Sequence, residues 1–204
     1  MRSSVKTLLM AAFLTHVGAA YAQDETAAPA ETTTESDSSA ESALDLGQSS
    51  EPAVGQSYVL QEFGDWAMRC IRAPEGEADP CNLYQLLKDD EGNAIAEFNF
   101  FRLPPDAGPV AGANVVVPLE TLLTQQLTIA VDGQNPRVYP FRFCNAGGCV
   151  ARLGFTQEDI DLFKRGSTAT VRVVPAADPG QEILLDLSLT GFTAGYEGSV
   201  GSTQ

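Results

Sequence analysis

The chain has little to catalyse with. Its one histidine, His16, lies in an apolar N-terminal stretch marked for removal, so the mature protein has none. Without histidine, Ser-His and Cys-His nucleophile systems and His-ligated metal sites are excluded. Lysine is nearly absent from the remainder: Lys88 falls in a charged turn and Lys164 at a helix end, which leaves no Ser-Lys dyad. No apolar run reaches the length of a membrane span. Residues 23–57 contain no Lys, Arg or aromatic residue at all. There is one tryptophan, Trp66, and it shares a strand face with Met68, which points to a core role.

What is present begins with an export signal. Arg2 and Lys6 precede the apolar run "TLLMAAFLTHVGAA", and Ala20-Tyr21-Ala22 supplies a small-residue cleavage site before Gln23. Residues 1–22 therefore read as a signal peptide. Ser3-Ser4-Val5-Lys6 fits an S-x-x-K pattern, but it lies within the part to be removed. The product is expected in the periplasm, on the outer surface or secreted, with no lipid anchor, since no cysteine lies near the cleavage point. Residues 23–57 carry eight acidic residues and very few large apolar ones. Such a stretch cannot bury enough surface to offset its ordering entropy and reads as a disordered acidic tether. After cleavage ten basic residues face 27 acidic ones, a net charge of −17. Nucleic acid and anionic lipid surfaces are poor partners for such a chain.

Residues 58–195 form one domain's worth of chain, and period-two alternation dominates it. In "EILLDLSLTGF", Ile183, Leu185, Leu187 and Leu189 share one face. "QQLTIAVDG" repeats the pattern, and "TATVRVVP", "IAEFNFFRL", "RVYPFRFC" and "DWAMRCI" are further strands. "DDEGNA" (residues 89–94) reads as a hairpin turn rather than a calcium loop. One helix is expected at about residues 157–165: Thr156 and Asp159 fit a capping box, Lys164-Arg165 suit its last turn, and Gly166 stops it. The expected fold is all-β: an antiparallel β-sandwich or partly closed barrel with one short α-helix. Residues 196–204 read as a flexible tail.

Cys70, Cys81, Cys144 and Cys149 are an even set in an exported chain, so two disulfides are expected. The spacings fit neither a tetrathiolate zinc site nor a C-x-x-C redox pair. Three pairings exist. The turn Asn145-Ala146-Gly147-Gly148 favours the sequential one, Cys70–Cys81 with Cys144–Cys149. Pairing Cys144 opposite Cys149 in a regular hairpin mixes charge and aromatic residues on both faces. An extra residue at Cys149-Val150 restores alternation, setting Phe141 opposite Leu153, Phe143 opposite Ala151 and Arg142 opposite Arg152. The outward pair Arg142 and Arg152, with Arg137, is then the strongest anion- or partner-binding candidate. Salt bridges to nearby acids are the simpler role for these arginines.

"EFGDWAMRC", "CNLYQLL", "YPFRFCNAGGCVARLGF" and "LDLSLTGFTAG" resemble the invasion-associated locus B (IalB) family of exported proteobacterial proteins. Gly64-Asp65-Trp66, Cys144 with Gly148-Cys149, and Ser188-Leu189 with Gly191-Phe192 carry the resemblance. It implies a periplasmic or surface β-rich domain without catalytic residues or cofactors, linked in some pathogens to host-cell invasion. The functional expectation is a non-enzymatic module that binds a protein or envelope component, a host surface included. The alternative is a periplasmic hydrolase using a carboxylate pair drawn from Asp65, Glu97 and Asp186.

Overall fold

A computed structural model describes residues 51–199. The expected signal peptide and acidic tether, up to residue 50, lie outside the described residues, as do residues 200–204. Eleven strands and two α-helices follow in the order β1 (Ser57–Phe63), β2 (Trp66–Ile71), β3 (Cys81–Lys88), β4 (Ala94–Arg102), β5 (Ala111–Val117), β6 (Leu127–Val131), β7 (Gln134–Tyr139), β8 (Phe141–Asn145), β9 (Gly148–Phe155), α1 (Gln157–Arg165), β10 (Thr168–Val173), β11 (Ile183–Ser188) and α2 (Phe192–Gly198). They build two antiparallel sheets. One has seven strands in the order β1-β2-β3-β4-β5-β9-β8, the other four in the order β11-β10-β6-β7. The sheets share one apolar core, to which Trp66, Phe98 and Phe100 contribute from the first and Ile129, Val171 and Leu187 from the second. Neither sheet closes into a barrel.

The alternation read from "ILLDLS" and "TATVRV" is realised: Leu185 and Leu187, with Ala169, Val171 and Val173, are buried and their neighbours face outward. The segment "RVYPFRFC", expected as one strand, is two strands in different sheets. Pro140 has no N–H to give to a ladder, and the chain uses it to cross from β7 in the four-stranded sheet to β8 in the other.

Helix α1 is built as its sequence dictates. The Thr156 hydroxyl accepts from Asp159 N–H at 3.3 Å while Asp159 Oδ2 accepts from Thr156 N–H at 2.9 Å. Helix α2 was not expected, because Gly195 and Gly198 lower its intrinsic propensity. Packing supplies the reason for both glycines. A Cβ on Gly195 would stand 2.8 Å from the Leu83 side chain, and one on Gly198 would stand 3.0 Å from the Phe63 ring. The tail assigned from residue 196 is therefore corrected: Tyr196 is buried in the core, and Arg102 donates to the Ser199 carbonyl at 3.1 Å. At the other end the fold begins before residue 58. Gly55 N–H donates to the Arg72 carbonyl and Arg72 N–H to the Gln56 carbonyl, at 2.8 and 2.9 Å.

Candidate functional site

Two of the three motifs that carry the sequence resemblance, Gly64-Asp65-Trp66 and Ser188-Leu189 with Gly191-Phe192, sit together at a seam between the sheets. Ser188, the last residue of β11, faces Gln85 of β3: Gln85 Nε2 donates to the Ser188 carbonyl at 3.0 Å and Ser188 N–H donates to Gln85 Oε1 at 2.7 Å. The same carbonyl accepts from Trp66 Nε1 at 2.8 Å, and the Ser188 hydroxyl donates to the Asp65 carboxylate. Asp65 N–H donates to the Thr190 carbonyl at 3.1 Å. Gly64 (φ +61°) and Gly191 (φ +88°) lie back to back; a Cβ on Gly191 would stand 1.9 Å from the Phe63 carbonyl oxygen. Below this junction the Phe192 ring packs 5.4 Å from Trp66, 5.2 Å from Phe100 and 5.3 Å from Phe163. Trp66 is in the core, and the seam is architecture.

Both disulfides join directly opposed residues. Cys70 is bonded to Cys81 between β2 and β3, and Cys144 to Cys149 across the β8–β9 hairpin. The register of that hairpin corrects the expected bulge. Cys144 faces Cys149 and Phe143 faces Val150, then the pairing shifts so that Phe141 faces Ala151. The extra residue is Arg142 on β8, not a residue at Cys149-Val150, so Arg142 and Arg152 are not cross-strand partners. This solution keeps Cys149 buried and Phe141 packed against the core while turning Phe143 out, half exposed at 50%; Cys144 itself is exposed.

Arg137 has the simpler fate. Its guanidinium pairs with Asp159 Oδ1 at 2.6 Å, beside a crevice of about 20 Å³ between β6, β7 and α1. That is room for about one water. Burial, with the Asp159 charge adding to it, pushes the Tyr139 hydroxyl above its ordinary pKa there. The three carboxylates considered for a hydrolase are not brought together. Asp65 holds Ser188, Glu97 pairs with Arg69 at 3.2 Å, and Asp186 lines an open depression with Asp89, Asp90 and Glu182 that neither of the others reaches.

The feature that sequence reasoning missed is the outer face of the seven-stranded sheet. One row crosses five strands in strict register: Ala67, Tyr84, Asn99, Asn114 and Arg152. The next row on the same face runs Leu86, Glu97, Val116, Val150 and Phe143. Arg69 stacks 3.7 Å over the Tyr84 ring, and this face is laced by Arg69 and Asn82 donating to Asn99 Oδ1 at 3.3 and 3.0 Å. The lacing stops at Asn99. Asn114 Oδ1 is buried without a hydrogen-bond partner, and its neighbour Arg152, exposed, makes no ion pair among the described residues. A shallow depression of about 230 Å³ lies alongside, bounded by Leu86, Glu97, Val116 and the turn residue Gly147. The signal was in the sequence. Asparagine is depleted from strands, yet Asn99 and Asn114 sit in the middle of apolar strand runs.

The family model for invasion associated locus B (IalB) protein matches residues 66–200, more than half of the chain. The chain belongs to the IalB family. A crystal structure of invasion associated protein b from Bartonella henselae superposes with a TM-score of 0.55 at 19% identity, covering 68% of this chain and 93% of that one. At that identity the likeness is one of fold. Among curated proteins, none matches the chain. The IalB fold, with both cysteine pairs oxidised, is what an oxidising compartment outside the cytoplasm permits. Among the described residues no helix is long and apolar enough to cross a membrane.

Proposed function

We propose that this IalB-family protein is an exported, non-enzymatic binding module that attaches to a component of the cell envelope or of a host surface. Export rests on the signal sequence at residues 1–22 and on the two disulfides. The single observation that carries the binding reading is the outer face. Its mid-sheet Asn114 carries an amide oxygen buried without a partner, at a cost of about 1–3 kcal/mol to the fold, so the residue choice on this face is not made for stability alone. Arg152 stands beside it without an acid partner, whereas Arg69, Arg72, Arg137 and Arg172, four of the eight described arginines, are paired with acids. The reading needs no reacting group.

The test is co-sedimentation of the mature protein (residues 23–204) with isolated envelope fractions and with host-cell membranes. Wild type should sediment with one of them, and the Arg142→Ala/Arg152→Ala double variant should stay in the supernatant. Equal behaviour of the two proteins refutes the outer face as the binding surface.

A further inference from the structure

We infer that the Cys144–Cys149 bridge is a redox-sensitive clasp on edge strand β8, opened by thiol–disulfide exchange with an external dithiol that attacks Cys144 Sγ. The inference is independent of the binding reading above. The two bridges of the domain are not equivalent. Cys70 lies on β2, between Tyr58 of β1 and Cys81 of β3, and is wholly buried. Its partner Cys81 is partly buried and follows a loop that Asp79 pins. That carboxylate accepts from the Tyr58 hydroxyl, from Arg72 at 2.8 Å and from Ala73 N–H at 2.7 Å. Ile71 N–H closes the same loop by donating to the Pro80 carbonyl at 3.0 Å.

Cys144 has no such shelter. It is exposed, on the strand that ends the seven-stranded sheet, and the turn residues Asn145, Ala146 and Gly147 beyond it are exposed as well. Residues 141–155 carry two arginines and no carboxylate, so an arriving thiolate meets no like charge within the hairpin. Cys149, by contrast, is 1% exposed. Access governs thiol–disulfide exchange, so an external thiolate reaches one sulfur of this bridge only. Its sulfur bonds to Cys144 Sγ, the Cys144–Cys149 bond breaks, and Cys149 leaves with the electron pair and takes up a proton. The reductant's second thiolate then attacks its own sulfur in the mixed disulfide and releases Cys144, which is protonated in turn. The dithiol is oxidised to a disulfide by two electrons, and the protein holds two thiols.

What the bridge fastens is β8. Strand β9 is held independently: it pairs with β5 from Cys149 to Phe155, and Gly148 (φ +135°) lies so close to Val117 that a Cβ there would stand 2.4 Å from its carbonyl oxygen. Strand β8 has β9 as its one ladder partner, the ladder is interrupted at Arg142, and only Phe141 of its residues packs against the core. A segment with so few buried contacts opens at little cost. Opening the bridge therefore frees residues 142–145 and leaves β5 and β9 in place.

The experiment treats the mature protein (residues 23–204) with dithiothreitol under native conditions, quenches with N-ethylmaleimide at intervals and maps the labelled peptides by mass spectrometry. Cys144 and Cys149 should be labelled at least about tenfold faster than Cys70 and Cys81. Amide hydrogen exchange of the partly reduced protein should quicken in β8 while β5 and β9 keep their protection. Direction of attack is read from single variants: the thiol left by Cys149→Ser should react with N-ethylmaleimide at least about tenfold faster than the one left by Cys144→Ser. Opening of both bridges at one rate, opening of Cys70–Cys81 first, or no reduction without denaturant overturns the inference. So does equal reactivity of the two single thiols, or loss of protection throughout the sheet.

Discussion

The side-chain amide of Gln85 holds both the N–H and the carbonyl of Ser188, so one residue of the seven-stranded sheet closes a two-bond ring with the end strand of the other sheet. Gln85 is buried, and its loss would leave Ser188 N–H without that acceptor. Gln85→Leu is expected to lower unfolding free energy by about 2 kcal/mol, measured by urea denaturation. A change within experimental scatter would mean that water replaces the amide and that the seam is wetter than described.

The glycine pair predicts a steeper loss. At Gly191 a methyl group would meet the Phe63 carbonyl at 1.9 Å with φ at +88°, and at Gly64 it would meet the Thr190 carbonyl at 2.7 Å with φ at +61°. Backbone stands on both sides, so nothing flexible can yield. Gly191→Ala should cost about 3 kcal/mol or more, and Gly64→Ala less. Gly133→Ala (φ +70°), with open space around it, isolates the conformational cost alone and should be the mildest of the three.

The disulfides should contribute in order of loop length. Closing 12 residues between Cys70 and Cys81 is worth about 3 kcal/mol in the chain-entropy model, and closing six between Cys144 and Cys149 about 2. Paired Cys→Ser variants, compared by chemical denaturation under oxidising conditions, check this. The reverse order would show that loop closure does not dominate, since each bridge has one fully buried cysteine, Cys70 and Cys149.

Acid stability has an identifiable contributor in Asp79. A hydrogen bond from the Tyr58 hydroxyl, then one from Ala73 N–H, holds its carboxyl below the ordinary 3.8. A depressed folded pKa stabilises the fold above the unfolded value and ceases to do so as pH falls through the folded one. The melting temperature of wild type should therefore fall as pH drops below 3.8, while Asp79→Asn, lower at neutral pH, should lose less over the same range. Parallel curves would assign the acid limb to other carboxylates.

Asn114 tests the outer face through stability. Replacing the orphaned amide by valine removes the unsatisfied oxygen and adds a β-branched residue to a mid-sheet position. Asn114→Val should leave stability unchanged or raise it by about 1 kcal/mol. A loss of more than about 1 kcal/mol in thermal unfolding would mean that the amide is satisfied in solution.

Much of this architecture was legible in the residues. The capping box at Thr156 and Asp159 placed α1, and strict alternation placed β10 and β11, because both signals are local and the structure honours them. The disulfide between Cys144 and Cys149 followed from a turn only four residues long. What was not legible depends on distant partners. α2 forms because Gly195 and Gly198 fit against Leu83 and Phe63, which lie over a hundred positions earlier. The bulge fell on Arg142 instead of Val150 because the core takes Cys149, Ala151 and the inner side of Phe141. Faces alone cannot choose which strand absorbs the extra residue. The polar row of the outer face required knowing that β2, β3, β4, β5 and β9 are neighbours in that order, and β9 lies some thirty positions beyond β5. Its members look unremarkable one strand at a time.

At the junction of Gly64 and Gly191 two backbones already touch, with no side chain between them to act as a bearing. The two sheets cannot pivot or slide there without breaking the Ser188 ring of bonds, so the domain has no hinge at that edge. The seven-stranded sheet that carries Asn114 and Arg152 is therefore fixed against the other sheet at that edge. Association then draws little free energy into rearranging the receptor. A partner's rate of arrival should be set by diffusion and orientation alone, with no slow conformational phase, and differences among partners should be expressed in how long each one stays.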